Sequence, residues 1–335
     1  MFLPVSRRRF VTGLGATAAA TAIPSVAWAV NFSKSPFRIA VINDEIGQDF
    51  GRACEIASQK LGMSWIELRG MWNKNVLDLN SSEIAESLRL LKKYDLRVTD
   101  IASPLFKVDW PGAPKSRFSP KSDQFNAHFG SNQQDEVLEK SSEIAKTFGT
   151  DRIRCFDFWR LDDPKPYRNA INEKLRRAAE RVAKQGLKLV LENEHTCNTA
   201  TGAEAAKVLQ AVQASSFMLN WDPGNAAAAG ETPFPDGYNL LPKGRIGHCH
   251  CKDVVKNGTA YDWAAMGKGL IDWVGQFKAL KQDGYHYAVS LETHWRGAGT
   301  AEASTVESWA GMKQALDTAK VSNLMGIEYG RKYEA

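Results

Sequence analysis

Cysteine is scarce in this chain of 335 residues, and an odd count of five thiols provides no disulfide framework. Long apolar runs are missing too. Beyond the N-terminal segment nothing approaches the roughly 20 strongly apolar residues that a membrane helix needs, so no stable span is expected in the mature body. Charge of one sign is also wanting, since 43 Lys and Arg stand against 38 Asp and Glu for a formal net charge of +5. So mild a balance, with basic residues scattered rather than clustered, argues against a nucleic-acid partner. No glycine-rich turn follows the first apolar run, which removes the usual phosphate or dinucleotide cradle. Internal repeats are absent, and what recurs instead is alternation.

The N-terminus carries an address. Ser6-Arg-Arg-Arg-Phe-Val11 is a twin-arginine pattern, followed by an Ala/Thr/Gly-rich stretch and by Ala27-Trp28-Ala29, an A-x-A cleavage site. The expectation is a signal peptide over 1–29 handled by the twin-arginine export machinery, leaving a periplasmic or otherwise exported chain. Losing its three arginines takes the formal charge from +5 to about +2. The remaining 30–335 suits one large α/β domain or two small ones, and the alternation of strand and helix along it selects a single domain.

Short apolar runs at 37–42, 65–68, 97–102, 151–156, 187–192, 217–222, 246–251 and 286–292 read as buried parallel strands. Helical patterns lie between them at 48–61, 81–94, 132–148, 167–185, 203–214, 269–283 and 303–319, while the Ala/Pro/Gly-rich 223–245 has room for a short helix. In the second pattern Asn80 with Glu83 forms a capping signal ahead of Ile84, Leu88 and Leu91. Strand and helix alternating eight times predict a (β/α)8 TIM barrel. Such a barrel gathers the C-terminal strand ends at one mouth.

Four consecutive runs end in residues that can hold a metal: Leu187-Lys-Leu-Val-Leu-Glu192, Phe217-Met-Leu-Asn-Trp-Asp222, Ile246-Gly-His-Cys-His250 and Ala288-Val-Ser-Leu-Glu292. Three carboxylates and an imidazole meeting at the mouth make a divalent metal site. Glu192 follows an apolar strand, where an unpartnered carboxylate is costly. Asp222 sits in Asn220-Trp-Asp-Pro-Gly-Asn225, a sequence that a plain turn would also use. His248, His250 and Lys252 share one strand face, and Cys249 and Cys251 share the other, expected to be buried against helices. Long loops at 103–131 and 157–166 should rise over the mouth. Phe106, Trp110, Phe125, His128, Phe129, Trp159 and Tyr167 in or beside them favour a carbohydrate-sized cleft.

These motifs resemble those of the xylose isomerase-like barrel superfamily, among the sugar phosphate isomerases/epimerases. Leu191-Glu-Asn193, Trp221-Asp-Pro-Gly-Asn225, His250-Cys-Lys-Asp253, Gly267-Lys-Gly-Leu-Ile-Asp-Trp273 and Leu291-Glu-Thr-His294 carry the likeness. The resemblance implies Glu192, Asp222, His250 and Glu292 as metal ligands, and picks His250 over His248. One departure stands out, because keto-sugar epimerases of this group carry a histidine where this chain has Asn225. The superfamily's three-zinc endonucleases need more histidines than the six present.

One nitrogen and three oxygen donors favour Mn²⁺, with Mg²⁺, Co²⁺ or Zn²⁺ acceptable. The expected chemistry is metal-assisted proton transfer beside a carbonyl, with Glu192 and Glu292 as the bases on opposite faces. His248, Lys252, Asn225, Trp159 and Trp110 are candidates for binding substrate, and Glu194 and His294 for orienting the ligands. An unphosphorylated sugar or sugar derivative is the expected substrate of such an isomerase or epimerase. Two alternatives stay open: a metal-dependent lyase or hydrolase of oxidised glycosides, and a non-catalytic periplasmic sugar-binding protein.

Overall fold

The computed structural model describes residues 35–119 and 129–322. The twin-arginine pattern, the 1–29 segment, Phe125 and His128 lie outside these residues. All eight expected runs form strands: β1 Arg38–Val41, β2 Trp65–Leu68, β3 Arg97–Leu105, β4 Arg152–Cys155, β5 Lys188–Glu192, β6 Phe217–Trp221, β7 Ile246–Cys251 and β8 Ala288–Leu291. They pair in parallel in the order β1-β8-β7-β6-β5-β4-β3-β2. An Ile42–Glu67 bridge then brings β1 beside β2, so the sheet is a nearly closed TIM barrel.

Side-chain alternation along each strand sorts the interior from the helix layer. Ile39, Val41, Leu68, Ile153, Leu189, Leu191, Leu219, Trp221, Val289 and Leu291 belong to one apolar cluster with the helices. Cys249 and Cys251 join it, as expected, and both are free thiols. Most of the alternate positions are polar yet equally buried: Glu67, Arg152, Arg154, Glu192, Asn220, His248, His250 and Ser290, with Ala40, Val190 and Met218 among them. Charge and hydrogen-bonding groups thus predominate in the barrel interior.

Local chemistry sets the helix starts. Asn80 accepts the N–H groups of Ser82 and Glu83 at 3.0 Å while Glu83 accepts the Asn80 N–H at 2.8 Å, a capping box that opens helix Ser81–Lys93. Asp222 caps the short helix Pro223–Ala228. The helix expected from 269 begins only at Trp273, because the Gly267, Gly269 and Ile271 N–H groups turn to the Asp253 carboxylate instead. Ahead of that turn, Asp253–Asn257 and Ala260–Ala264 form an antiparallel hairpin that the alternation pattern did not indicate. Among the described residues no helix is long and apolar enough to cross a membrane.

The seam between β1 and β2 is closed by side chains. Asn43 donates to the Gly70 carbonyl at 2.5 Å and accepts the Arg69 N–H at 2.9 Å. Arg69 in turn pairs with Asp44 at 2.9 Å and Glu45 at 2.7 Å.

Leu219→Ala removes a fully buried side chain and should cost about 3 kcal/mol. Asn80→Ala, which deletes the exposed cap, should cost about 1 kcal/mol. Urea denaturation of both variants measures the difference; equal losses would mean that the cluster or the cap has been misjudged.

Candidate functional site

Each residue of the site leaves the C-terminal end of a strand. Glu192 closes β5, Asp222 follows β6, His250 lies on β7 and Glu292 follows β8. One ligand atom from each of the four falls within 4.8 Å of every other. His250 Nδ1 lies 3.2 Å from Glu292 Oε2, 3.4 Å from Glu192 Oε1 and 3.7 Å from Asp222 Oδ2. It is buried and takes no hydrogen bond.

The other imidazole nitrogen explains this orientation. Glu67, at the mouth end of β2, spans both β7 histidines, with Oε1 3.0 Å from His250 Nε2 and Oε2 3.0 Å from His248 Nε2. A carboxylate on Nε2 fixes the ring and turns Nδ1 toward Glu192, Asp222 and Glu292. Burial disfavours charge on His250, yet Glu67, Glu292 and Glu192 raise its pKa well above the ordinary value. Burial likewise opposes ionisation of Glu67, and His250 and His248 outweigh it. For His248 burial wins, and its pKa falls.

The carboxylates are held from several sides. Asn225 Nδ2 donates to Glu192 Oε1 and Asp222 Oδ2, each at 3.1 Å. Arg154 approaches Glu192 Oε2 at 3.1 Å. Arg69 donates to Glu292 Oε1 at 2.6 Å, and His294 Nε2 lies 3.1 Å from the same oxygen. Lys252 Nζ sits 2.6 Å from Glu292 Oε2 and 2.8 Å from Asp222 Oδ2. Burial works against a charged Glu292, but Lys252, His294 and His250 hold its carboxyl well below the usual range. Burial also works against Lys252, and Asp222, Glu292 and Glu192 push its pKa up.

The structure therefore brings together all four expected ligands, with Lys252, Asn225 and His294 around them. His248 sits deeper on Glu67, fully buried. Trp159 is 2% exposed, packed with Phe156 and Cys197, and Trp110 meets Phe158 edge-on at 4.7 Å. Glu194 lies beside the cluster, where it accepts from Lys107 at 3.0 Å and contacts His195 Nδ1 at 2.7 Å.

Glu67, Arg69, Arg154, His195 and Trp263 were not singled out from sequence. A signal existed for the first three: charged residues at alternate positions of Trp65-Ile-Glu-Leu-Arg69 and Arg152-Ile-Arg-Cys155 mark one face of strands otherwise apolar. His195 and Trp263 lie outside any strand run that points at the mouth.

A buried imidazole nitrogen facing three carboxylate oxygens is, once deprotonated, a donor set for a divalent cation, and the residues fit one.

No curated protein matches the chain significantly. Among solved structures it is similar to a probable 3-DHS dehydratase involved in petrobactin synthesis from Bacillus anthracis, at 19% identity and a TM-score of 0.62 over 82% of this chain and 97% of the other. A D-allulose 3-epimerase from Methylomonas sp. is similar at 18% identity and 0.61, over 86% and 99%. A xylose isomerase-like TIM barrel protein from Mycobacterium smegmatis in complex with magnesium gives 16% identity and 0.62, over 86% and 100%. These three likenesses concern the fold. The sequence pattern of one family covers most of the chain, residues 56–319, so the protein belongs to the xylose isomerase-like TIM barrel family.

Proposed function

We propose that this protein is a divalent-metal-dependent enzyme that moves a proton beside a carbonyl of an unphosphorylated sugar or sugar derivative, as an isomerase or epimerase. The observation that carries the reading is His250 Nδ1, buried, without a hydrogen bond and facing three carboxylate oxygens at the barrel mouth. Glu192, Asp222, His250 and Glu292 would hold the cation. When bound, it would polarise a carbonyl and a neighbouring hydroxyl and so acidify the C–H of the hydroxyl-bearing carbon beside the carbonyl. Mn²⁺ suits a set of one nitrogen and three oxygens; the magnesium-bound neighbour makes Mg²⁺ an equal candidate.

The chain's own residues divide the remaining work. Glu192 and Glu292 stand on β5 and after β8, with β6 and β7 between them, so they can reach a substrate carbon from different sides. Lys252 offers a cation to a developing oxyanion. Asn225 orients Glu192 and Asp222 together. Among the described residues the other cations near the mouth pair with carboxylates: Arg69 with Glu292, Lys107 with Glu194, Arg154 with Glu192 and Arg296 with Glu45. That pairing favours a neutral sugar over a phosphate.

A difference between the two glutamates supports a second reading. Arg69, Lys252 and His294 engage Glu292 at 2.6 to 3.1 Å, whereas Glu192 has Arg154 at 3.1 Å and the neutral Asn225, with His250 at 3.4 Å and Lys252 no nearer than 3.9 Å. With Glu192 as the single base beside a leaving group, the reaction becomes elimination, and the enzyme a lyase of oxidised glycosides. The twin-arginine pattern supports export of an already folded, metal-loaded chain to the periplasm. An unchanged metal content after rerouting the chain through an unfolded-chain pathway would count against that route.

Carbon-bound hydrogen exchange in deuterated water, followed by NMR across keto-sugars and glycosides with added Mn²⁺ or Mg²⁺, tests the reaction. Glu192→Gln and Glu292→Gln should each slow turnover by at least about 100-fold while the fold persists. Retained activity in both would sink the two-base scheme, and retained exchange in Glu292→Gln alone would favour elimination. Chelation should abolish turnover and lower the melting temperature, with both restored by the metal. Glu67→Gln should weaken metal affinity about 10- to 100-fold by calorimetry, and an unchanged affinity would detach Glu67 from the metal.

A further inference from the structure

The hairpin after β7 carries a ring that the metal site does not need. Its first residue, Asp253, is buried and accepts the N–H groups of Val254, Gly267 and Gly269 at 3.0 Å and of Ile271 at 3.3 Å. This fixes the stem to the end of the barrel. Trp263 pairs across the hairpin with Val254, one step from that stem, so its position follows from Asp253 rather than from the free tip.

The Trp263 indole lies beside the lysine that pairs with Asp222 and Glu292. Lys252 Nζ lies 5.2 Å from its ring centroid. Two histidines meet it edge-on, His294 at 5.3 Å and 87° and His195 at 5.9 Å and 68°. Trp263 itself is only partly buried. Each imidazole is anchored through one nitrogen: His195 Nδ1 on Glu194 at 2.7 Å and near Asn225 at 3.3 Å, His294 Nε2 on Glu292 at 3.1 Å. Among the described residues the other nitrogen of each takes no hydrogen bond, and the side chains are 36% and 23% exposed. His294 adopts this pose at φ +48°, a conformation that a non-glycine residue holds only at a cost.

A flat apolar surface flanked by two oriented imidazoles, each with a free nitrogen, matches one kind of ligand. A pyranose ring presents a face of C–H groups edged by hydroxyls, and such faces stack on indole. An open-chain sugar has no continuous apolar face to offer. We infer that Trp263, with His195 and His294 beside it, is the ring-recognition subsite of the mouth, and that the protein takes its carbohydrate in the closed, cyclic form. This inference rests on the carbohydrate reading of the mouth and narrows it to ring-form derivatives that carry a carbonyl on the ring itself, as an oxidised glycoside does, because a closed unoxidised sugar has none. The hydroxyls of the ring meet His195 on the β5 side and His294 on the β8 side, while the indole covers its face.

Binding of methyl β-D-glucopyranoside and of D-sorbitol to the full chain, each with and without added Mg²⁺, tests the assignment by ligand-observed NMR. Wild type should prefer the pyranoside by about tenfold or more, and Trp263→Ala should erase that preference while Mg²⁺ affinity by calorimetry stays unchanged. Trp263→Phe, which keeps an aromatic face, should retain most of the preference. His195→Ala should weaken the pyranoside about threefold or more without affecting Mg²⁺. Equal binding of the two probes by wild type, no binding of either, or an unaltered preference in Trp263→Ala would each overturn the inference. If Trp263→Ala fails to fold, loss of the preference in Trp263→Leu supports the assignment and its persistence overturns it. Pyranoside binding by a chain that takes up no metal would remove the proposed reaction and leave this subsite standing; proton exchange that Trp263→Ala leaves untouched would do the reverse.

Discussion

Charge enclosed in the barrel has to be balanced within a few ångströms, and the arrangement of the mouth follows from that requirement. A buried carboxylate without a partner is strongly destabilising, and removing one member of a buried pair exposes the full desolvation cost of the other. Glu67 therefore holds two imidazoles, Glu192 meets Arg154, and Glu292 collects Arg69, Lys252 and His294. Asp100 on β3 shows the opposite response. Its carboxyl oxygens take no hydrogen bond, and burial together with the nearby Glu67 pushes its pKa well above the carboxylate range. Ionised groups in this interior are those with partners.

Balancing of this kind couples positions far apart in sequence. Arg69 and Glu292 are separated by 223 residues, Glu67 and His250 by 183, and each pair closes at hydrogen-bond distance. The metal-ligand candidates are consequently held by the barrel as a whole rather than by their own turns. Asn225 adds the local element. In the turn after β6 it ties Asp222 to Glu192 on the neighbouring strand, an orienting role that a residue with both a donor and an acceptor can fill.

The barrel and its four ligand candidates were legible because both depend on short periods. Apolar runs such as Leu187–Leu191 and Phe217–Trp221 alternate with helical patterns, and a ligating residue at the end of each run has only one mouth to face. The capping box at Asn80 was equally local. Residues defined by distant neighbours were hidden. Glu67 gains its meaning from histidines on β7, and Trp263 from a hairpin whose stem is fixed by Asp253 binding amides up to 18 residues ahead. The same carboxylate delayed the following helix to Trp273, a boundary that hydrophobic periodicity alone could not locate. Trp159 looked like a ligand-facing ring by its loop, yet tertiary packing buried it against Phe156 and Cys197.

The join between β1 and β2 has a dynamic consequence. Among the described residues a single backbone bridge links these strands, with the Asn43 side chain on the Arg69 N–H and the Gly70 carbonyl, and the Arg69 side chain on Asp44 and Glu45, completing the closure. The molecule is thus a split ring with a polar clasp, and the amides along the split are the natural first sites of solvent hydrogen exchange. Arg69 belongs both to the clasp and to the grip on Glu292. Whatever steadies Glu292 from the mouth also tightens the ring at its weakest joint, so occupancy of the site and breathing of the barrel are thermodynamically linked.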